Sequence, residues 1–158
     1  MRKAIILAIC SIILFCGVAA GIVWGIRNVS LPASTKISIR YTDAESVHPF
    51  DVRGLMPGTV ASRRFEIEGR RSGMLSLTFE EDGEVGLVPY LQVKISENGK
   101  TLFNGAMSEL LPQTLNFSFD GSAMILIEYG LPLDTGNEAQ KQGCDIRLNF
   151  KLNPESES

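Results

Sequence analysis

The chain has a single histidine, His48, among its 158 residues. A zinc hydrolase of the H-E-x-x-H kind needs two, so that class is excluded together with any histidine-rich metal site. Cysteine is nearly as scarce. Cys10 and Cys16 fall in an apolar run, which leaves Cys144 alone in the rest of the chain. One cysteine closes no internal disulfide, so the folded part must be held by packing. No G-x-S-x-G elbow and no phosphate-cradling glycine loop occurs. A nucleophilic pair of Cys144 and His48 would need the fold to join two residues that nothing in the sequence brings near. The sequence therefore reads as non-enzymatic, with no cofactor implied.

Charge is missing from one long stretch. From Ala4 to Ile26 no residue is ionisable except Cys10 and Cys16, and as a helix this run would reach roughly 35 Å, enough to cross a hydrocarbon core of about 30 Å. Arg2 and Lys3 precede it, which predicts a cytoplasmic N-terminus and an exported remainder after Arg27. Gly17, Gly21 and Gly25 recur every four residues and form a ridge suited to close helix association in lipid. Small residues near Ala20 offer a signal peptidase a cut before Gly21. The run exceeds an ordinary signal core, and Trp24 suits the outer interface, so retention as a single-pass anchor is the expectation. Two locations follow: the cell membrane with the domain outside, or secretion after cleavage near Ala20. The whole chain carries a net charge of −3. Its basic residues are partly spent flanking the apolar run, which excludes a nucleic-acid partner.

Helical periodicity is absent from the exported part, and strict alternation takes its place. "FEIE" sets Phe65 and Ile67 against Glu66 and Glu68; "LSLTFE" sets Leu75, Leu77 and Phe79 against Ser76, Thr78 and Glu80. "LQVKIS", "TLNFSF" and the closing "CDIRLNFKL" repeat the pattern, and "SAMILIEY", apolar on both faces, reads as a central strand. Asn98-Gly99 and Asp120-Gly121 are hairpin pairs, and Pro57-Gly58 suits a type II turn. The predicted fold is all-β, an antiparallel sandwich of jelly-roll or immunoglobulin-like form, preceded by one N-terminal transmembrane or signal helix. The expected organisation is a signal peptide or anchor at 1–27, a linker at 28–35, a β-sandwich at 36–153 and a disordered tail at 154–158. Phe65, Leu77, Phe79, Val93, Phe117 and Leu148 should face inward.

Charged clusters have plain readings. "EEDGE", Glu80 to Glu84, offers oxygens to calcium, but not at the spacing of a twelve-residue calcium loop; an acidic hairpin tip kept soluble by its charges is expected. Arg63, Arg64, Arg70 and Arg71, beside Glu66 and Glu68, read as a mixed-charge exposed face.

"GLMPGTVASRRFEIEG", "YLQVKISENGKTLFNGAMSELL" and "LPLDTGNEAQKQGCDIRLNFKL", in that order, resemble the TasA/camelysin group of exported bacterial proteins. The matching residues are Pro57 and Gly58, then Gly105, Ser108 and Leu110, then a late loop of Gly136, Asn137, Glu138 and Gln140 before the final strand. This loop carries Ala139 where an aromatic residue is usual. The resemblance implies a cell-surface or extracellular-matrix structural protein, akin to subunits of biofilm or spore-coat fibres, with self-association or other surface proteins as partners. Some of the group are described as metalloproteases, a mechanism for which this chain lacks the histidines. The resemblance also places the late loop across one end of the sandwich, with Asn137 and Glu138 binding local backbone groups. The alternative function is a membrane-tethered β-sandwich acting as a binding or accessory module outside the cytoplasm.

Overall fold

The computed structural model describes residues 33–39 and 45–154. Within them the alternating segments form nine strands: β1 (Ala33–Ile39), β2 (Glu45–Val52), β3 (Val60–Gly69), β4 (Gly73–Glu81), β5 (Gln92–Glu97), β6 (Lys100–Ala106), β7 (Leu115–Phe119), β8 (Ser122–Gly130) and β9 (Cys144–Pro154). One helical turn, α1 (Met107–Leu110), follows β6, and a 3-10 helix spans Asn137–Lys141. The apolar run 4–26, its glycine ridge, the cleavage site before Gly21 and the tail after Pro154 lie outside the described residues. Among the described residues no helix is long and apolar enough to cross a membrane.

The strands build an all-β sandwich of two sheets, in the orders β1-β3-β8-β5-β6 and β2-β9-β4-β7. Four antiparallel pairs organise it: β5 with β6, β4 with β7, β3 with β8, and β2 with β9. The chain thus runs out to the β5–β6 hairpin and returns beside itself, with successive pairs dealt to alternate sheets. That is jelly-roll order, and it leaves eight strands closed around one core. β8 lies between β3 and β5, as its two apolar faces predict.

Two expectations need correction. The sandwich is not wholly antiparallel, because β1 pairs with β3 in parallel, Ala33 opposite Arg63 through Ile39 opposite Gly69. β2, between them in sequence, belongs to the other sheet, so β1 and β3 run the same way. The strand also begins at Ala33, within the segment read as linker 28–35, because Ser34 and Thr35 extend the alternation of Ile37. β2 itself carries Pro49, which argues against a strand. It is tolerated because β2 is an edge strand, bonded only to β9.

The core follows the alternation. Phe65, Leu77, Phe79, Val93, Phe117 and Leu148 are all buried, with Phe50, Phe119 and Phe150 completing the aromatic filling. Phe65 and Phe150 meet across the sheets at 5.7 Å between ring centroids, and Phe50 meets Tyr129 edge-on at 5.0 Å. Full burial of each such side chain is worth about 1.5–3 kcal/mol against exposure.

The two ends of the sandwich differ. At one, the chain reverses over residues 70–72, 98–99 and 120–121. Asn98 takes φ 47 and Gly99 φ 86, the backbone that a type I′ turn requires. At the other end lie the connections 53–59, 82–91, 107–114 and 131–143.

Candidate functional site

Loops carry contacts when a rigid scaffold positions them, so the end with the long connections is the place to look. Three of its four connections are pinned by buried apolar residues, Leu87 and Leu91 in 82–91, Met107 and Leu110 in α1, Leu131 and Ala139 in 131–143, while the fourth, 53–59, packs on the core only through the partly buried Leu55. Backbone bonds tie them together. The Met107 N–H donates to Leu91 O at 2.8 Å, the Leu87 N–H to Gly143 O at 3.0 Å, and the Gly58 N–H to Leu131 O at 2.9 Å. The Pro57-Gly58 turn forms as expected, with Gly58 at φ 76 and the Thr59 N–H on Met56 O at 3.0 Å.

A charge network joins three of these segments. Arg53 donates from Nη2 to Asp145 Oδ1 at 2.6 Å and stands 3.7 Å from Glu84 Oε2. Asp145 and Glu84 also bond reciprocally: the Glu84 N–H donates to Asp145 Oδ2 at 2.9 Å, and the Asp145 N–H to Glu84 O at 2.7 Å. The Gly143 N–H completes the set on Glu84 Oε1 at 2.6 Å. A Cβ at Gly143 would meet the Arg53 guanidinium and the Glu84 carboxylate, so a larger residue there would push both charged ends aside. The Glu84 backbone N–H and then the Arg53 guanidinium hold the Asp145 carboxyl below its ordinary range. Nearby, Arg147 pairs with Asp82.

The acidic run is not a hairpin tip: β4 ends at Glu81 and pairs with β7 and β9, and the run continues into the long connection 82–91. There Asp82 pairs with Arg147, and Glu84 accepts from the Gly143 N–H and stands beside Arg53. Among the described residues no three His, Cys, Asp or Glu side chains form a metal-holding group. The arginine group is split. Arg63 does not share the exposed face with Arg64, because alternation turns it toward the seam between the sheets. There it donates to Asp51 O at 2.5 Å and stacks 5.0 Å over the Phe50 ring. Glu66, for its part, accepts from Ser34 Oγ on β1 at 2.8 Å.

The late loop differs from its expected role. Asn137 does not bind backbone; its Oδ1 accepts from Gln140 Nε2 at 2.9 Å, while the Glu138 carboxylate lies against Gly136. The loop is closed by its own backbone, Ala139 N–H to Gly136 O at 3.3 Å and Gln142 N–H to Ala139 O at 3.1 Å. Its anchor is Ala139, wholly buried. A larger side chain would have no room there, which accounts for alanine at a position the sequence marked only as unusual.

His48 and Cys144 stay apart. On the paired strands β2 and β9, His48 faces Leu148 and Cys144 faces Val52, four residues or roughly 13 Å along the sheet. Cys144 is fully buried, and burial followed by the Asp145 charge pushes its thiol up to about 12. It is a packing residue at neutral pH. His48 lies between the Phe65 and Phe150 rings with its Nε2 at 2.8 Å from Ser46 Oγ, and burial lowers its pKa.

One feature of this end left no mark in the alternation pattern: exposed apolar side chains. Leu133 is 83% exposed and Met56 60%, with Val85 and Tyr90 also open on the neighbouring connection. Met56 and Leu133 belong to segments joined through the Pro57–Leu131 bridge.

No protein-family profile matches the chain, and neither does any curated protein. Among solved structures it is similar to a periplasmic inhibitor of g-type lysozyme from Salmonella Typhimurium, at 5% identity and TM-score 0.40, covering 77% of this chain and 98% of that one. The corresponding inhibitor from Aeromonas hydrophila gives 6% identity and TM-score 0.43, over 77% and 99%. The CUB1-EGF-CUB2 domains of rat MASP-1 give 14% identity and TM-score 0.42, over 77% of this chain and 44% of that chain. These are distant likenesses, and none assigns a role to a residue here.

Proposed function

We propose that the chain is an exported, non-catalytic β-sandwich, tethered to the membrane by residues 4–26, that presents its loop end as a contact surface. The observation that supports this most is the contrast within that end. Its backbone is fixed by buried anchors and by the Arg53–Asp145–Glu84 network, yet it leaves Leu133 and Met56 in solvent. A rigid frame with exposed apolar tips is the usual build of a binding face.

A second reading, the fibre subunit implied by the TasA/camelysin resemblance, is favoured by one observation. Among the described residues β1 is an edge strand hydrogen-bonded to β3 alone, an edge that another copy could extend. The two readings part at the N-terminus. Mass spectrometry of the protein from its own cells should find the apolar run intact in the membrane fraction. A mature chain starting between Gly21 and Arg27, recovered from the medium as filaments, would replace the tethered reading with the fibre one.

A further inference from the structure

The direction of β1 limits how a tethered domain can stand. Ala33 pairs with Arg63 and Ile39 with Gly69, so β1 points away from the loop end and the chain before Ala33 leaves toward it. Six residues, 27–32, separate the apolar run from β1. Fully extended they span about 20 Å. Ala33 stands level with Arg63, three residues from the start of β3 at Val60, which uses about 10 Å of that reach. Only about 10 Å is then left between the level of Val60 and the first residue outside the lipid. The connections that carry Met56 and Leu133 extend beyond Val60 and Gly130 into this gap.

The exposed side chains are distributed to match. Of the large apolar residues in the open, Leu133 and Met56 are the two most exposed, and both lie here with Val85 and Tyr90. They belong to connections bonded to each other, and a Cβ on Gly58 would stand 2.9 Å from Leu133 Cδ1. Val47, Met74 and Met124 are scattered over the two outer sheet faces instead. The strongest charges of the end, Arg53 with Asp145 and Glu84 and Arg147 with Asp82, are paired with each other. Asp134 and Glu138 outnumber the one cation of the 131–143 connection, Lys141, so the connection has no basic excess to draw it to an anionic surface.

We propose that the loop end rests on the membrane that the chain enters, with Leu133 and Met56 in the interfacial layer, an apolar contact indifferent to anionic headgroups. This rests on the reading of residues 4–26 as a retained anchor, and the test separates the two. Trp24 is the only tryptophan, so in the full chain reconstituted into phosphatidylcholine vesicles with brominated acyl chains its quenching reports the anchor. Trp24→Phe combined with Leu133→Trp moves the indole to the loop end, where the side chain is open and the fold tolerates it; Trp24→Phe with Met124→Trp puts it on a sheet face near the hairpin turns. Expected is loss of emission at Trp24 and for Leu133→Trp, none for Met124→Trp, and no change on adding phosphatidylglycerol. Quenching at Trp24 but not for Leu133→Trp overturns the docking and leaves the anchor standing. Equal quenching of the Leu133→Trp and Met124→Trp variants means the domain lies on its side, which also overturns it. An unquenched Trp24 removes the anchor and the docking together.

Discussion

The two ends of the sandwich solve the same problem in opposite ways. At the turn end the chain reverses in two or three residues, and conformation alone does the work, as at Asn98 and Gly99 with positive φ. At the loop end the connections are long, and three of the four bring buried side chains, Leu87, Leu91, Leu110, Leu131 or Ala139, into the common core, with Leu55 of the fourth partly buried against it. A short turn costs little entropy and exposes little. A long one must be fixed by burial and by bonds such as those of Arg53 and Glu84. The comparison teaches that loop length here does not mean looseness. It also explains why the proposed contact surface lies at that end, since among the described residues the longest connections outside the sheets are there.

The largest expected effect calibrates both ends. Phe117→Ala empties the core they share and should cost about 3–5 kcal/mol in thermal or urea unfolding. An unchanged melting temperature would reverse the assignment of faces. Next, Leu87→Ala tests whether the loop end is part of that core; about 2–5 kcal/mol is expected. A loss below about 1 kcal/mol, no more than a typical surface change, would show the 82–91 connection to be loosely docked. At the turn end the stake is smaller. Asn98→Ala leaves in the left-handed region a residue without the side-chain amide that makes asparagine tolerable there, and removes the acceptor of the Met124 N–H, for a cost of about 1–2 kcal/mol. Asn98→Gly should restore most of it.

Acid separates the ends more gently. His48, on the half of β2 nearer the turn end, has a lowered pKa, so the unfolded chain takes up its proton first. Its contribution is complete above about pH 6.5 and lost as pH falls from there toward its folded value. Asp145 at the loop end is also lowered, from 3.8, so its contribution is present above that value and lost only below it. Unfolding measured against pH should show two separate losses. His48→Gln should abolish the first and Asp145→Asn the second. A profile unaltered by either substitution would mean that these groups are not held as described.

Much of this architecture was legible in the residues. Alternation placed Phe65, Leu77, Phe117 and Leu148 inside, and the Asn98-Gly99 and Pro57-Gly58 turns formed where the dipeptides predicted. β2 was obscured because Pro49 breaks the usual strand signature, although His48, Phe50 and Val52 alternate with Val47, Pro49 and Asp51. Arg63 was misread for a simple reason. In two arginine pairs flanking one strand the charge is conspicuous and the parity is not, yet parity turns Arg63 toward the seam and Arg64 to the other face.

Local pattern by itself determined most of the strands, their inward faces and two of the turns, because alternation and backbone conformation act between near neighbours. The tertiary structure alone decided which strands pair, that β1 lies parallel to β3, and that Arg53, Glu84 and Asp145 form one network. Those residues are 92 positions apart at their widest. Such contacts depend on how the chain rolls up, and pairing energy is shared among many strands rather than written at any one of them. The exposure of Leu133 and Met56 is decided the same way: a leucine and a methionine read as core until the sheets close without them.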